Sequence, residues 1–137
     1  MDISELMTQD AHEDGAEVEI FHPSETIEVD GKAERKSLGV FFKVLGIDSR
    51  DFQSAEKKAY NKQLSIYAKD KVIDEGAIID GEISLACAAI TGWRGIQDGD
   101  KDLPYSKSKC LDLMTKSPWM RKQIESFVGE RKNFIKG

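Results

Sequence analysis

The sequence predicts an α+β fold: a small antiparallel β-sheet near the N-terminus, then a mainly helical C-terminal two-thirds of about four helices. Between residues 16 and 47, apolar and polar side chains alternate with a period of two, which is typical of half-buried strands. From Asp48 onward, apolar residues recur at spacings of three and four, the period of an amphipathic helix. We therefore expect a single domain over residues 16–137, β-rich over 16–47 and helical over 48–137.

Three segments carry the strand pattern. Residues 16–21 and 26–30 each alternate apolar with acidic side chains, and the turn sequence His22-Pro23-Ser24 separates them. Residues 38–47 are rich in β-branched and aromatic residues and give the strongest strand signal. Because an isolated two-stranded hairpin is marginal in water, we expect a three-stranded sheet or a hairpin with a partner element.

The first two predicted helices differ in character. The first spans about residues 50–71, with Asp48 or Ser49 as its N-cap and an apolar stripe that ends at Tyr67. The second, over residues 82–91, is apolar almost all round and is therefore expected to be buried on most faces. On this basis Ala88→Asp is expected to unfold the protein.

Two further helices complete the predicted fold. Ser106 is placed to cap the third, and Ser117 caps the last with Pro118 at its first position, where the missing N–H costs nothing. The segment between the first two helices, residues 72–79, stays ambiguous because glycines interrupt its pattern.

Residues 1–15 are predicted to form a flexible acidic leader. The first thirty residues contain ten acidic and no basic side chains, so the chain has a net charge of −5 although the remainder is basic. This acidic end either folds onto a basic face of its own or a neighbouring subunit, or is mobile and solvated. We favour the second interpretation for residues 1–15.

The sequence offers no set of residues that indicates catalysis or a metal site. Its two histidines, His12 and His22, do not form a ligand cluster. The loop over residues 98–102 has the carboxylate spacing of a calcium loop, but Leu103 stands where that loop needs glycine. We expect no catalytic residues, no cofactor, no bound metal and no enzymatic activity.

Membrane and nucleic-acid partners are not expected either. The longest apolar run, residues 83–90, is far shorter than the roughly 20 residues that cross a bilayer. Acidic side chains interleave with the lysines of the helices, which favours a solvated face over a nucleic-acid interface. Cys87 and Cys110 fit buried thiols better than a disulfide.

Four aromatic residues are the candidates for partner binding: Trp93, Tyr105, Trp119 and Phe134. Tryptophan and tyrosine concentrate binding energy at protein interfaces. The competing interpretation is core packing, since Trp93 follows a glycine at a helix end and Trp119 sits just inside a helix start. Core packing is favoured for both tryptophans, and the choice stays open.

Several short motifs occur in a distinctive order. They are Thr91-Gly92-Trp93, Leu103-Pro104-Tyr105-Ser106, Ser117-Pro118-Trp119-Met120-Arg121 and Arg131-Lys132-Asn133-Phe134. In this order, and with the strand and helix that precede them, they resemble the tail assembly chaperones of long, non-contractile-tailed bacteriophages and their prophages. The resemblance covers about residues 16–135.

This resemblance implies a non-enzymatic protein of the host bacterial cytoplasm that is absent from the mature virion. Its partners would be the tail tape measure protein, which it keeps soluble, and the tail tube protein, which it helps to recruit. Self-association as a homo-oligomer and a longer frameshifted form are left open. The alternative is a structural tail component, such as a completion or connector protein.

Overall fold

The computed structural model describes residues 1–135, which form six α-helices, one 3₁₀ helix and five strands in two sheets. The helices are α1 (Ile3–Leu6), α2 (Gln9–Asp14), α3 (Arg50–Asp70), α4 (Glu75–Ala89), α5 (Lys107–Lys116), α6 (Pro118–Val128) and the 3₁₀ helix Arg131–Asn133. The strands are β1 (Ala16–Val29), β2 (Lys32–Val44), β3 (Ile90–Arg94), β4 (Gln97–Asp98) and β5 (Lys101–Asp102).

The main sheet is antiparallel, with β2 between β1 and β3. Asp30 and Gly31 connect β1 to β2, and both have positive φ angles, 51° and 79°. Two such residues form the tight turn whose twist matches that of paired strands. Phe42 lies at the centre of the sheet, opposite Val18 on one side and Trp93 on the other.

The outer half of the β1–β2 hairpin extends away from the core, and we call residues 23–39 the β-arm. Every residue of the β-arm is exposed, although it includes apolar side chains such as Ile27 and Leu38. The pairing is irregular between Phe21 and Thr26, where the β-arm begins. The inner half of the hairpin buries Val18 and Phe42.

The free edge of β1 is covered by a side chain of α6. The Gln123 amide donates from Nε2 to the carbonyl of Phe21 (2.8 Å) and accepts from the Phe21 N–H (2.9 Å). One side-chain amide thus makes both bonds that a neighbouring strand would make at this position. This contact satisfies the backbone of an edge strand and holds α6 against β1.

The core lies between the inner half of the sheet and helices α4, α5 and α6. Its buried side chains are Val18, Ile20, Phe42, Val44, Ile83, Ala86, Ala89, Ile90, Cys110, Met114, Met120, Ile124, Val128 and Phe134. Helix α3 contributes none of them, because it contacts mainly α4 and buries no residue completely.

Helices α3 and α4 form an antiparallel helical hairpin. The two helices meet at Gly81, where a Cβ atom would be in ordinary van der Waals contact, 3.5 Å, with the Cβ of Ala59. Asp74 caps α4 by accepting from the N–H of Ala77 (3.2 Å). The glycines that made residues 72–79 ambiguous therefore belong to a helix, and Gly81 lies where it meets its neighbour.

The predicted fold class is wrong in the order and number of its elements. Two helices, α1 and α2, precede the sheet, and β3 joins the sheet from residues 90–94, so the sheet is not confined to the N-terminal region. Six α-helices replace the expected four over residues 1–135. Strand β3 was missed because it follows α4 without a loop, and its apolar first residue, Ile90, continues the apolar pattern of that helix.

The division into a leader and a domain stays a prediction, and the end of that domain at residue 137 lies outside the described residues. The structure places residues 9–14 in α2 and buries the side chain of His12 completely. In α4 the fully buried position is Ala89, whereas Ala88 is only half-buried.

Candidate functional site

Trp93 and Tyr105, two of the predicted partner-binding residues, pack against each other beside the sheet. Their rings meet edge to face, with centroids 5.0 Å apart. Trp93 donates from Nε1 to the carbonyl of Leu103 (2.8 Å), and Tyr105 donates from its hydroxyl to the carbonyl of Ile90 (3.1 Å). Both polar groups are therefore satisfied within the fold, and both rings are half-buried against the core.

The other two predicted residues lie elsewhere. Trp119 is half-buried against the core at the start of α6, and Phe134 is buried. The Phe134 ring lies 4.9 Å from the His12 ring and 5.7 Å from that of Phe127. The structure thus brings Trp93 and Tyr105 together but does not gather all four residues into one surface. Their role in partner binding stays a prediction.

Sequence reasoning missed a polar cluster that joins the two ends of the chain, and we call it the Asp48 cluster. Arg131 donates two hydrogen bonds to the Asp48 carboxylate (2.9 and 3.0 Å), and Thr8 donates a third. His12 accepts at Nδ1 from the N–H of Asp48 (2.9 Å), and its Nε2 lies 3.5 Å from the same carboxylate. These contacts attach α2 and the C-terminal segment to the loop before α3.

The electrostatics of the Asp48 cluster favour an ionised aspartate and a neutral histidine. The bidentate Arg131 and the Thr8 hydroxyl lower the pKa of Asp48 to about 2. Burial lowers the pKa of His12, because the charged imidazole would lose its hydration, and Asp48 compensates only in part. His12 is completely buried, and its Nε2 has no hydrogen-bond partner among residues 1–135.

Acid is expected to destabilise the protein in two steps. The unfolded chain takes up a proton at His12 below about pH 6.5 while the folded chain resists it, so the stability contributed by neutral His12 is lost as the pH falls through that range. Asp48 adds a second loss between about pH 4 and pH 2, worth about 2 kcal/mol for a pKa lowered from 3.8 to about 2.

Urea denaturation at pH 7 and pH 5 measures the first step. His12→Gln should flatten the dependence of the unfolding free energy on pH in this range, whatever its effect at pH 7. His22→Gln, which removes a histidine outside the Asp48 cluster, serves as the control. If the unfolding free energy of His12→Gln depends on pH as strongly as that of the wild type, neutral His12 does not stabilise the fold.

No cluster of three or more potential metal-ligating histidine, cysteine, aspartate or glutamate side chains occurs within residues 1–135. The sulfurs of Cys87 and Cys110 lie 3.9 Å apart, and both thiols are free. The neighbouring Cys87 and burial raise the pKa of the Cys110 thiol, which makes it a poor nucleophile.

Seven exposed apolar side chains lie on the α3–α4 hairpin, and we call them the hairpin patch. Its members are Tyr60, Leu64, Tyr67, Val72, Ile73, Ile78 and Ile79. Each of these side chains is at least 40% exposed, and Ile73 is 73% exposed. Single exposed apolar residues are ordinary on protein surfaces, whereas seven on one helical hairpin make this surface a candidate for protein binding.

The sequence pattern misplaced part of the hairpin patch. Leu64 and Tyr67 continue the apolar stripe that begins at Phe52, and the stripe predicts that they face inward. In the structure Phe52 and Ala59 are half-buried, whereas Leu64 and Tyr67 are exposed. The difference arises because α3 packs mainly on α4, which covers only part of its apolar face.

Comparison with known proteins identifies a prophage family. A protein-family model described as YdaY prophage protein matches residues 47–136. No curated protein and no solved structure matches the chain. Among the helices of residues 1–135, none has both the length and the apolar character needed to cross a membrane.

The family match supports a phage or prophage protein, and it does not name a tail assembly chaperone. The matched segment is well over half of the chain and contains α3, α4, α5 and α6, including the hairpin patch. The chain therefore belongs to the YdaY prophage protein family.

Proposed function

We propose that this prophage protein is a tail assembly chaperone. It binds the tape measure protein in the bacterial host, helps to recruit tail tube subunits and is absent from the finished particle. It acts by binding and not by catalysis. The hairpin patch carries this proposal, because it exposes seven aliphatic and aromatic side chains on one helical hairpin.

The chemistry of the hairpin patch suits a helical partner. An amphipathic helix binds by laying its apolar face along complementary apolar side chains. Tyr60, Leu64 and Tyr67 recur at spacings of four and three on α3, so they form one stripe along that helix. A tape measure protein, with its long helical segments, would present such faces and would need them covered before the tail is assembled.

Substitution within this stripe tests the proposal. The double variant Leu64→Gln and Tyr67→Gln should weaken binding to the tape measure protein of the same prophage by roughly tenfold or more, because it removes apolar contact area from the interface. Both side chains are about half exposed, so thermal unfolding should change little. Binding is measured by co-purification and by titration calorimetry on a helical tape measure fragment.

Ser65→Gln is the matched control, since Ser65 is exposed on the same turn of α3 and outside the hairpin patch. It should bind like the wild-type protein. If the double variant and the Ser65→Gln control bind equally well, the hairpin patch is not the tape measure site.

A structural tail component is the second candidate, and the β-arm favours it. A two-stranded arm exposed on both faces gains stability when it packs on another subunit. Mass spectrometry of purified virions separates the two functions. The chaperone proposal requires that the protein be absent from them, whereas a structural subunit would be present in stoichiometric amounts.

A further inference from the structure

A small pocket lies in the groove between α4 and α6, and we call it the α4–α6 pocket. Its volume is about 190 Å³. Its apolar lining comes from Ile47, Phe52, Leu85, Ala86, Ala89, Ile124 and Val128. An apolar cavity of roughly 150 Å³ holds a benzene ring, so this pocket has room for one large apolar side chain.

Acidic side chains stand beside this apolar lining. Glu82 of α4 and Glu125 of α6 both line the pocket, and Glu82 is exposed to solvent. Buried Arg121 lies between them, 3.3 Å from Glu125 and 4.0 Å from Glu82, and donates to the carbonyl of Met114 (2.9 Å). The two charged side chains in the pocket lining are therefore both acidic, although Arg121 and the nearby Lys122 offset part of their charge.

The Glu125 carboxylate is incompletely satisfied. Its Oε1 atom is buried, and although it lies near Arg121 it has no hydrogen bond of good geometry within the described part of the chain. Burial and the neighbouring Glu82 raise the pKa of this carboxyl group. A cation beside Glu125 would stabilise its charged form and offset the repulsion from Glu82, whereas an anion would increase that repulsion.

We propose that the α4–α6 pocket binds a segment of another protein that inserts one large apolar side chain and places a lysine or arginine against Glu82 and Glu125. The apolar lining supplies the attraction for the inserted side chain. The two carboxylates set the preference for a basic neighbour. This site is separate from the hairpin patch, and the proposal does not depend on the tape measure protein being the partner.

Three blocked, alanine-rich helical peptides of about 15 residues probe this site. The first carries one leucine with a lysine four residues away. The second has glutamate in place of the lysine, and the third has alanine in place of the leucine. Two-dimensional NMR of the isotope-labelled full chain reports both the affinity and the location of binding.

The leucine–lysine peptide should shift the NMR signals of Ala86, Ala89 and Val128 more than those of other residues. Loss of the leucine should weaken binding roughly tenfold or more. Exchange of lysine for glutamate should weaken it roughly threefold or more, and added salt should reduce this difference. Shifts confined to the hairpin patch, or equal affinity for all three peptides, would overturn the proposal.

Variants of the protein sharpen the test. Ala86→Leu fills the pocket and should abolish the shifts, while Glu82→Gln should weaken only the lysine peptide. Asp80→Asn removes one charge from the same helix without altering the pocket lining and should leave binding unchanged. If Ala86→Leu fails to fold, Glu82→Gln still decides, because an unchanged preference for lysine in that variant contradicts the proposal.

Discussion

Replacing Ala89 by aspartate is expected to unfold the protein. Ala89 has no exposed surface, and its carbonyl accepts a hydrogen bond from the N–H of Leu45 (2.7 Å), which joins α4 to the end of β2. A carboxylate at this position would lie among aliphatic side chains without a cationic partner. We expect a loss of at least about 4 kcal/mol, a large part of the stability of a domain of this size.

Circular dichroism during thermal unfolding measures this loss. Ala88→Asp is the matched control, since Ala88 neighbours Ala89 on α4 but is only half-buried and can place a carboxylate near water. It should remain folded with a smaller loss, contrary to the prediction made from the apolar run alone. Equal losses in the two variants would show that α4 is buried on both faces.

Gly46→Ala is expected to cost about 3 kcal/mol, the second largest effect. A Cβ atom on Gly46 would lie 2.1 Å from Nδ1 of His12, and the buried ring cannot move without losing its hydrogen bond from the N–H of Asp48. The cost combines overpacking with the loss of this buried hydrogen bond. The midpoint of urea denaturation at pH 7 measures it.

Two further variants show whether His12 is the cause. Gly92→Ala should change stability by less than about 1 kcal/mol, because a Cβ atom there meets nothing within 4 Å. In combination with His12→Ala, the Gly46→Ala substitution should cost much less than it does alone, since the clashing ring is gone. Strictly additive costs would contradict this explanation.

The starts of α3, α5 and α6 were predictable, because their signals are local, whereas the start of α4 at Glu75 was missed. Ser49 accepts from the N–H of Phe52 at the start of α3, and Ser106 accepts from Lys109 at the start of α5. Pro118 begins α6, as expected, but the side chain of Ser117 makes no capping hydrogen bond. A cap depends on residues three positions apart, so the sequence alone contains what is needed.

Features that depend on distant residues could not be predicted in this way. The buried ring of His12 packs on Phe134 and accepts a hydrogen bond from Asp48, and neither residue is near it in the sequence. Strand β3 forms because β2 offers a free edge, although its first residue, Ile90, extends the apolar run of α4. Tertiary packing determines the secondary structure of such segments, and local sequence patterns do not contain that information.

The candidate site was also only partly predictable from the sequence. Aromatic residues in distinctive motifs drew attention to Trp93 and Tyr105, whose polar groups bond within the fold. The hairpin patch was hidden, because Leu64 and Tyr67 follow the same helical period as side chains that pack on α4. Only the position of α4 reveals which apolar residues on α3 remain without a neighbour.

The proposed function is that this YdaY family protein holds the tape measure protein during tail assembly. The most direct measurement is the soluble fraction of that protein when it is expressed with and without this chain. We predict that the tape measure protein precipitates alone, and that co-expression keeps it soluble in a complex that co-purifies. Equal solubility in both cases, with no complex recovered, would show that this protein does not act as a chaperone of the tape measure protein.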